Sequence, residues 1–388
     1  MIPVADALNK LLALAAPLEV EEVPLTRALG RTLARPVMAR RTQPPFSASA
    51  MDGYALAGDP APGDDFAVIG EAPAGHAFAG QVGPGQAVRI FTGAPLPTGA
   101  TRVVIQEDVQ RDGDRITLTG TPQGSHIRPA GADFAEGATL DAPRVLTPSD
   151  IALLAAMNIA SVPVTRKPDV ALIATGDELV PPGDTPGPDQ IIASNSYGLH
   201  ALMTGLGAAP RLLPIARDTV PALNQVLDLA RGADLVITIG GASVGDHDLV
   251  AQAAADRGME RAFYKVAMRP GKPLMAGRLE GAAMIGLPGN PVSAMVCGHV
   301  FVAPVIRAML GRTEVIPRPV TATLATDLPA NGPRQHYLRA RRTPDGVLPF
   351  DKQDSSLLTV LSQADCLIVQ PPDDPARRAG DPVDILPL

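Results

Sequence analysis

Tryptophan is absent from the 388 residues and aromatic side chains make up only 3% of them, so the chain offers no stacking platform for bases. Basic charge is scarce too: the formal net charge is −7, which leaves no positive footprint for nucleic acid. The 2 cysteines, Cys297 and Cys366, are too few for a disulfide framework and fall in apolar stretches, where they read as buried free thiols. The opening MIPVADALNK has no basic segment followed by an apolar run, so no signal peptide is expected. The apolar stretch Ile151 to Val164 carries Asn158 and Pro163 and is too short to span a bilayer. No membrane and no nucleic-acid partner is expected, and the chain reads as cytoplasmic.

What is present describes a globular protein of several domains, because a chain of this length exceeds one ordinary core. Hydrophobic residues reach 46% and charged residues 19%, while 41 Pro and 37 Gly supply many turns. The stretch with the clearest chemistry is DLVITIGGASVGDHDLV, Asp234 to Val250. Its β-branched run predicts a strand buried on both faces. Gly240, Gly241 and Gly245 then turn the chain, and Asp246, His247 and Asp248 stand where a helix should start. Strand, glycine turn and helix N-terminus together present backbone N–H groups to an anion. The glycine spacing is that of a P-loop, but carboxylates replace its Lys and Ser/Thr and would repel a bare phosphate. A metal bridging Asp246 or Asp248 to the phosphate removes that objection. A tight turn with a capping Asp is the simpler alternative.

Taken in order, the chain begins with helical spacing over Pro3 to Ala16, and a second helix is expected over Leu25 to Leu33. Pro36 and the connector Gln43-Pro44-Pro45 mark a boundary. Residues 43–139 read as a small inserted β domain with strands near 54–57, 66–70, 87–91, 103–107 and 116–119. Within it, SAMDGYAL and RIFTGAPLP bear Asp52 and Thr92 at turns, and HIRPAGADF bears Asp133. Each is also ordinary turn chemistry. A helix over Pro148 to Met157 resumes the helical character, so residues 1–42 and 140–166 are expected to form one discontinuous N-terminal domain.

Residues 167–315 alternate strand and helix, which argues a doubly wound α/β domain that binds its ligand beyond the carboxyl ends of the strands. Chemistry-bearing residues collect at those ends: Thr175-Gly176-Asp177-Glu178, Arg217-Asp218, the glycine turn, and Pro288-Gly289-Asn290-Pro291. Between them, KVAMRPGKP carries Lys265, Arg269 and Lys272. Singly, Asp218 could be a helix cap and the cations a solvated turn. Together, carboxylates and cations on one rim describe a site that handles an anion with a divalent metal. Residues 316–388 read as a C-terminal β domain of barrel type, with Arg339 in mid-strand and Ser355 at a turn.

The order SAMDGYA, RIFTGAP, HIRPAGADF, ATGDEL, GGASVGDHD, KVAMRPGKP, GLPGNPVS and a late QDS turn resembles the molybdopterin molybdenumtransferases and the similar domain of gephyrin-type proteins. The resemblance runs from about Ala5 to Ile385. It implies an α/β domain like that of molybdopterin adenylyltransferase, and a homodimer in which the inserted domain of one subunit faces the cleft of the other. It also implies insertion of molybdate into adenylylated molybdopterin with Mg²⁺, releasing AMP. Molybdopterin adenylyltransferase and apo-molybdoenzymes are the implied partners. Carried over residue by residue, Asp218 and Asp248 match metal and nucleotide carboxylates, and Glu178 matches a functional acid. Lys265, Arg269, Lys272, Ser293, Arg339 and Ser355 match positions linked to pterin phosphate or molybdate. Gly240, Gly241, Ser243, Gly245, Pro288, Asn290 and Pro291 shape the substrate turns, and Asp52, Thr92 and Asp133 match residues implicated in activity.

Two departures stand out. Arg269 occupies a position often held by Lys, with forked donor geometry in place of a point charge. In the C-terminal turn Asp354 replaces the usual Gly, and Thr359-Val360 replace a Ser pair. Two rival functions remain open, adenylyl transfer to molybdopterin and non-catalytic scaffolding. An NAD enzyme is disfavoured, because no G-x-G-x-x-G follows the strand ending at Thr175.

Overall fold

The computed structural model describes residues 1–241 and 249–388. At its centre lies a six-stranded sheet. Its strands are β1 (Asp169–Ala174), β2 (Ala209–Leu212), β3 (Leu235–Ile239), β4 (Glu260–Tyr264), β5 (Met275–Leu279) and β6 (Ala282–Leu287), in the order β2-β1-β3-β6-β5-β4. β2, β1, β3 and β6 run parallel, and the hairpin β5–β6 turns the edge antiparallel. The helices are α1 (Asn195–Leu206), α2 (Val220–Leu229), α3 (Leu249–Asp256) and α4 (Pro291–Cys297), the last continuing through Gly298–Val302 into Ala303–Met309. α2 and α3 cover one face of the sheet, while α1 and the long Pro291–Met309 run cover the other. The central strands β1, β3 and β6 are largely apolar because both of their faces are covered. The Pro291–Met309 run is long and apolar enough to cross a membrane, yet it is mostly buried in this core.

The first helix, Val4–Leu12, was expected in the discontinuous N-terminal domain. It instead buries its stripe of Val4, Ala7 and Leu11 in the α/β core. Backbone bonds from Ile2 N–H to Lys265 O (3.2 Å) and from Ala267 N–H to Ile2 O (2.8 Å) fix it there. The helix expected over Leu25 to Leu33 is also corrected. Only a single turn, Leu25–Arg27, forms, and Thr32–Leu33 is a strand. That strand pairs with Arg144–Val145 and Ser161–Thr165, which come from beyond the insertion, so pairing across the insertion outweighs local helix spacing.

The inserted sheet has the order 102–105, 53–56, 86–90, 65–72, 115–118, 109–112, with apolar clusters on both faces. In the C-terminal sheet, Gln335–Thr343, Cys366–Gln370, Pro382–Pro387 and Val320–Thr323 follow one another. Its far edge is the two-residue strand Met268–Arg269, donated by the α/β domain, in which Arg269 pairs with His336. The cationic run KVAMRPGKP thereby stitches the two domains together.

Candidate functional site

Three strand ends converge at the carboxyl edge of the sheet. Thr175 N–H donates to Ile239 O (3.0 Å), Gly176 N–H to Ala216 O (3.1 Å) and Gly240 N–H to Leu287 O (3.1 Å). These bonds extend the ladder past the formal strands and draw the loops after β1, β3 and β6 around a cavity of about 730 Å³. Gly240 and Gly241 both have positive φ, at 92° and 68°. A Cβ on Gly240 would lie 2.7 Å from Thr175 O, and one on Gly241 2.4 Å from Val250 Cγ2. Only glycine lets the turn pass this close to its neighbours.

Of the residues expected at the site, Glu178, Asp218, Gly240, Gly241, Lys272, Pro288, Asn290 and Pro291 line this cavity. Ser243, Gly245 and Asp248 lie outside the described residues. Asp218 is not the cap of α2, since Thr219 Oγ1 accepts the Ala222 N–H at 3.3 Å. Asp218 instead borders the cavity, its carboxyl receiving a hydrogen bond from the Asp177 backbone. Burial, and after it the charges of Asp177 and Glu178, hold its carboxyl above the usual range. Arg217 is committed to Asp177, donating to its carbonyl at 2.8 Å. Among the described residues no three carboxylate, His or Cys side chains converge as a closed metal cage. Mg²⁺ does not require one, because it is commonly held by one or two carboxylates with water and substrate phosphate completing the shell. The mutual repulsion of Asp218 and Glu178 is the feature that such a cation would relieve, so the donor set fits it.

The cations divide. Lys272 lines the cavity; Lys265 and Arg269 do not. Lys265 sits at φ 72° with Nζ 5.0 Å from the Tyr264 ring centre. Arg269 is exposed on the strand shared with the C-terminal sheet. Opposite it, burial and then the charges of Arg269 and Arg339 push His336 down to about 4, so it is neutral at pH 7. Arg339 is fully buried and donates through Nη2 to Asp354 O at 3.0 Å. Its Nε and Nη1 have no hydrogen-bond partner among the described residues. Burial lowers the pKa of this guanidinium, Asp354 opposes the shift, and Arg269 adds to it.

The QDS turn packs on the start of α4. Asn290 Nδ2 donates to Ser355 Oγ at 3.0 Å, and Val292 N–H donates to Ser355 O at 3.0 Å. Ser355 is thus spent on joining domains, and its neighbour Ser356 reaches the cavity instead. Asp354, which stands where a glycine was expected, accepts from Ser356 N–H (2.8 Å) and Oγ–H (2.6 Å) and holds that residue in place. Ser293 is buried within α4 and does not line the cavity. Asn195, at the start of α1, donates through Nδ2 to Gly289 O at 2.7 Å and braces the Pro-Gly-Asn-Pro turn. Its signal in the sequence, an Asn at a helix start, is shared with ordinary helix termini. The apolar wall of Leu179, Ile191 and Ile192 went unread as well, because its two short strands are separated by a Pro/Gly loop.

Asp52, Thr92 and Asp133 belong to the inserted domain and its hinge, and none of them lines the cavity. Asp52 Oδ1 accepts from both the N–H and the Oγ–H of Thr92, each at 2.8 Å. These bonds hold its carboxyl below the usual range, the backbone bond contributing most. Asp133 closes the insertion hinge through its N–H to Gln43 O at 3.1 Å.

Comparison with known proteins matches residues 2–158 to the MoeA N-terminal region (domain I and II). Residues 171–308 match a probable molybdopterin binding domain, and residues 321–388 the MoeA C-terminal region (domain IV). A molybdopterin molybdenumtransferase of Nostoc sp. is 36% identical over 389 residues, covering 95% of this chain and 89% of the relative. Molybdopterin molybdenumtransferase 2 of Mycobacterium tuberculosis is 36% identical over 385 residues, covering 94% of each chain. The crystal structure of a molybdopterin biosynthesis MoeA protein from Pyrococcus horikoshii superposes with a TM-score of 0.84 at 30% identity, covering 99% of this chain and 98% of that one.

Proposed function

The chain belongs to the molybdopterin molybdenumtransferase family of molybdenum cofactor biosynthesis, and from that membership we propose that it inserts molybdate into adenylylated molybdopterin and releases AMP. The observation that carries this reading is the shared lining of one cavity by Glu178, Asp218, Lys272 and the Pro288–Pro291 turn. A phosphoanhydride needs opposite charge at its non-bridging oxygens and a fixed position for its leaving group. Lys272 and the N-terminus of α4 supply positive potential on their side of the cavity. Asp218 and Glu178 would hold Mg²⁺, together with Asp248 outside the described residues. When bound, the ion would neutralise the anhydride oxygens.

Molybdate is a tetrahedral dianion and suits forked, charge-assisted donors. The unpartnered Nε and Nη1 of Arg339 support its placement beside the C-terminal turn, with Arg269 and Lys265 further along the same run. Ser356, whose one hydroxyl proton is donated to Asp354, shapes the cavity edge and does not donate to the oxyanion. In this reading Asn290, Ser355 and Ser293 position the turns rather than touch substrate. Because Asp52, Thr92 and Asp133 contribute nothing to the lining within one chain, we assign them to the cleft of a second subunit in a homodimer.

Purified protein given adenylylated pterin, molybdate and Mg²⁺ should release AMP stoichiometrically, and Asp248→Ala should abolish that release. Absence of AMP would sink the proposal. ATP consumption with free molybdopterin would point to adenylyl transfer instead. Mixing inactive Asp52→Ala with inactive Asp218→Ala protein tests the shared site, since a heterodimer regains one intact cleft. No recovery of turnover after subunit exchange would exclude it.

A further inference from the structure

A second cavity, of about 580 Å³, lies where the discontinuous N-terminal domain, the helices of the α/β domain and the end of the C-terminal sheet meet. It shares no lining residue with the cavity described above. Four arginines line it. Arg144 is held by Asp150 at 3.0 Å, and Arg318 stands 3.9 Å from Glu314. Arg307 and Arg312 have no carboxylate within ion-pair distance among the described residues.

The two unpaired guanidiniums are half-buried. Arg312 Nη2 donates to Leu206 O, the end of α1, at 2.8 Å. Arg312 Nε and Arg307 Nη1 have no hydrogen-bond partner among the described residues, and neither does Oγ1 of Thr32, a residue of the same lining that is 1% exposed. Helix C-termini offset part of this charge, but a helix end carries only about half an elementary charge. Burial lowers the pKa of both guanidiniums; the charge of Glu314 opposes the shift at Arg307, and Arg307 lowers Arg312 further. His299, pushed down to about 4 by burial and Arg307, adds no proton at pH 7 and brings no negative charge. Two adjacent half-buried cations, with only the exposed Glu314 nearby and no carboxylate paired to either, are costly unless an anion completes them.

We propose that this junction cavity is a binding site for a phosphate-type anion, held by Arg307, Arg312 and the Thr32 hydroxyl. The anion would tie the three domains together at a point remote from the chemistry. Leu202 and Leu206 line the same cavity, so the anion can be free phosphate or the phosphate of a small ester whose carbon skeleton lies on them.

The test measures binding of inorganic phosphate and of glycerol 3-phosphate by calorimetry and by the shift in Tm. Potassium chloride at matched ionic strength is the control. Using Lys272→Met/Arg339→Met protein keeps the cavity at the sheet edge and the oxyanion position proposed beside it from contributing. At least one of the two ligands should bind saturably, and the tighter of them identifies the source. Arg307→Met/Arg312→Met should weaken that binding at least tenfold, and without phosphate should be no less stable than its parent, since it removes unpaired charge. Binding unchanged in the double variant, no saturable binding of either ligand, or a double variant less stable without phosphate would each overturn the proposal. Should the double variant fail to fold, the single variants and Thr32→Val are read in the same way.

Discussion

Asn290 and Ser355, 65 positions apart in the chain, are joined by a hydrogen bond of 3.0 Å from Nδ2 to Oγ. The turn after β6 and the C-terminal turn are therefore one structural unit. Asn290→Ala and Ser355→Ala should each destabilise the protein by about 1 kcal/mol, with a coupling of roughly 0.5–1.5 kcal/mol in the double variant. Chemical denaturation measures both quantities. In AMP release each single variant should raise KM more than it lowers kcat, because the pair positions Ser356 and Pro291 and does not touch the reacting atoms.

Asp218 is a carboxyl held above its ordinary range by burial and by its acidic neighbours. A group that binds its proton more tightly when folded favours the native state at low pH and loses that benefit as pH rises through the folded value. Asp218→Asn should therefore gain thermal stability relative to the parent protein as pH rises from 4 to 7, while losing AMP release. Mg²⁺ should narrow the gap by stabilising only the parent. Parallel Tm curves for the two proteins would show that Asp218 feels no such strain.

Arg339 presents two buried N–H donors without partners. Arg339→Met should leave stability unchanged or raise it, as removal of unpaired buried charge does. The same variant should lose about 2 kcal/mol or more of oxyanion affinity, roughly thirtyfold in Kd. Arg339→Lys should not rescue it, since an ammonium cannot reproduce the fork. Tungstate or molybdate titrations followed by calorimetry provide the measurement.

Gly241→Ala places a Cβ at φ 68°, 2.4 Å from Val250 Cγ2. The combined strain and overlap should cost about 1–3 kcal/mol. Gly232→Ala, at φ 82° with nothing within 4 Å of the added Cβ, should cost less. Equal losses in urea denaturation would mean that the turn can move away from α3.

Much of the architecture was legible because the signals are local. β3 is a continuous β-branched run, β1 and β6 are largely apolar, Pro291 marks the start of α4, and turn residues punctuate the inserted sheet. Where local spacing competed with long-range pairing, it lost. Thr32–Leu33 became a strand because its partners lie beyond the insertion. The first helix left its expected domain because its apolar stripe fits the α/β core. Asp218 was readable as a cap or as a ligand, and the geometry of Thr219 decided between them.

The sequence by itself determined which residue types meet at the strand ends, since a parallel sheet delivers every βα loop to one edge. It also determined the family, through the order of its motifs. Only the tertiary structure decided which members of each motif reach the cavity. Ser356 lines it and Ser355 does not, and Lys272 lines it while Lys265 and Arg269 do not. The physical reason is that motif membership follows from spacing along the chain, whereas access to a cavity depends on where the folded backbone points each side chain and on which of them, like Ser355, are already engaged across a domain junction.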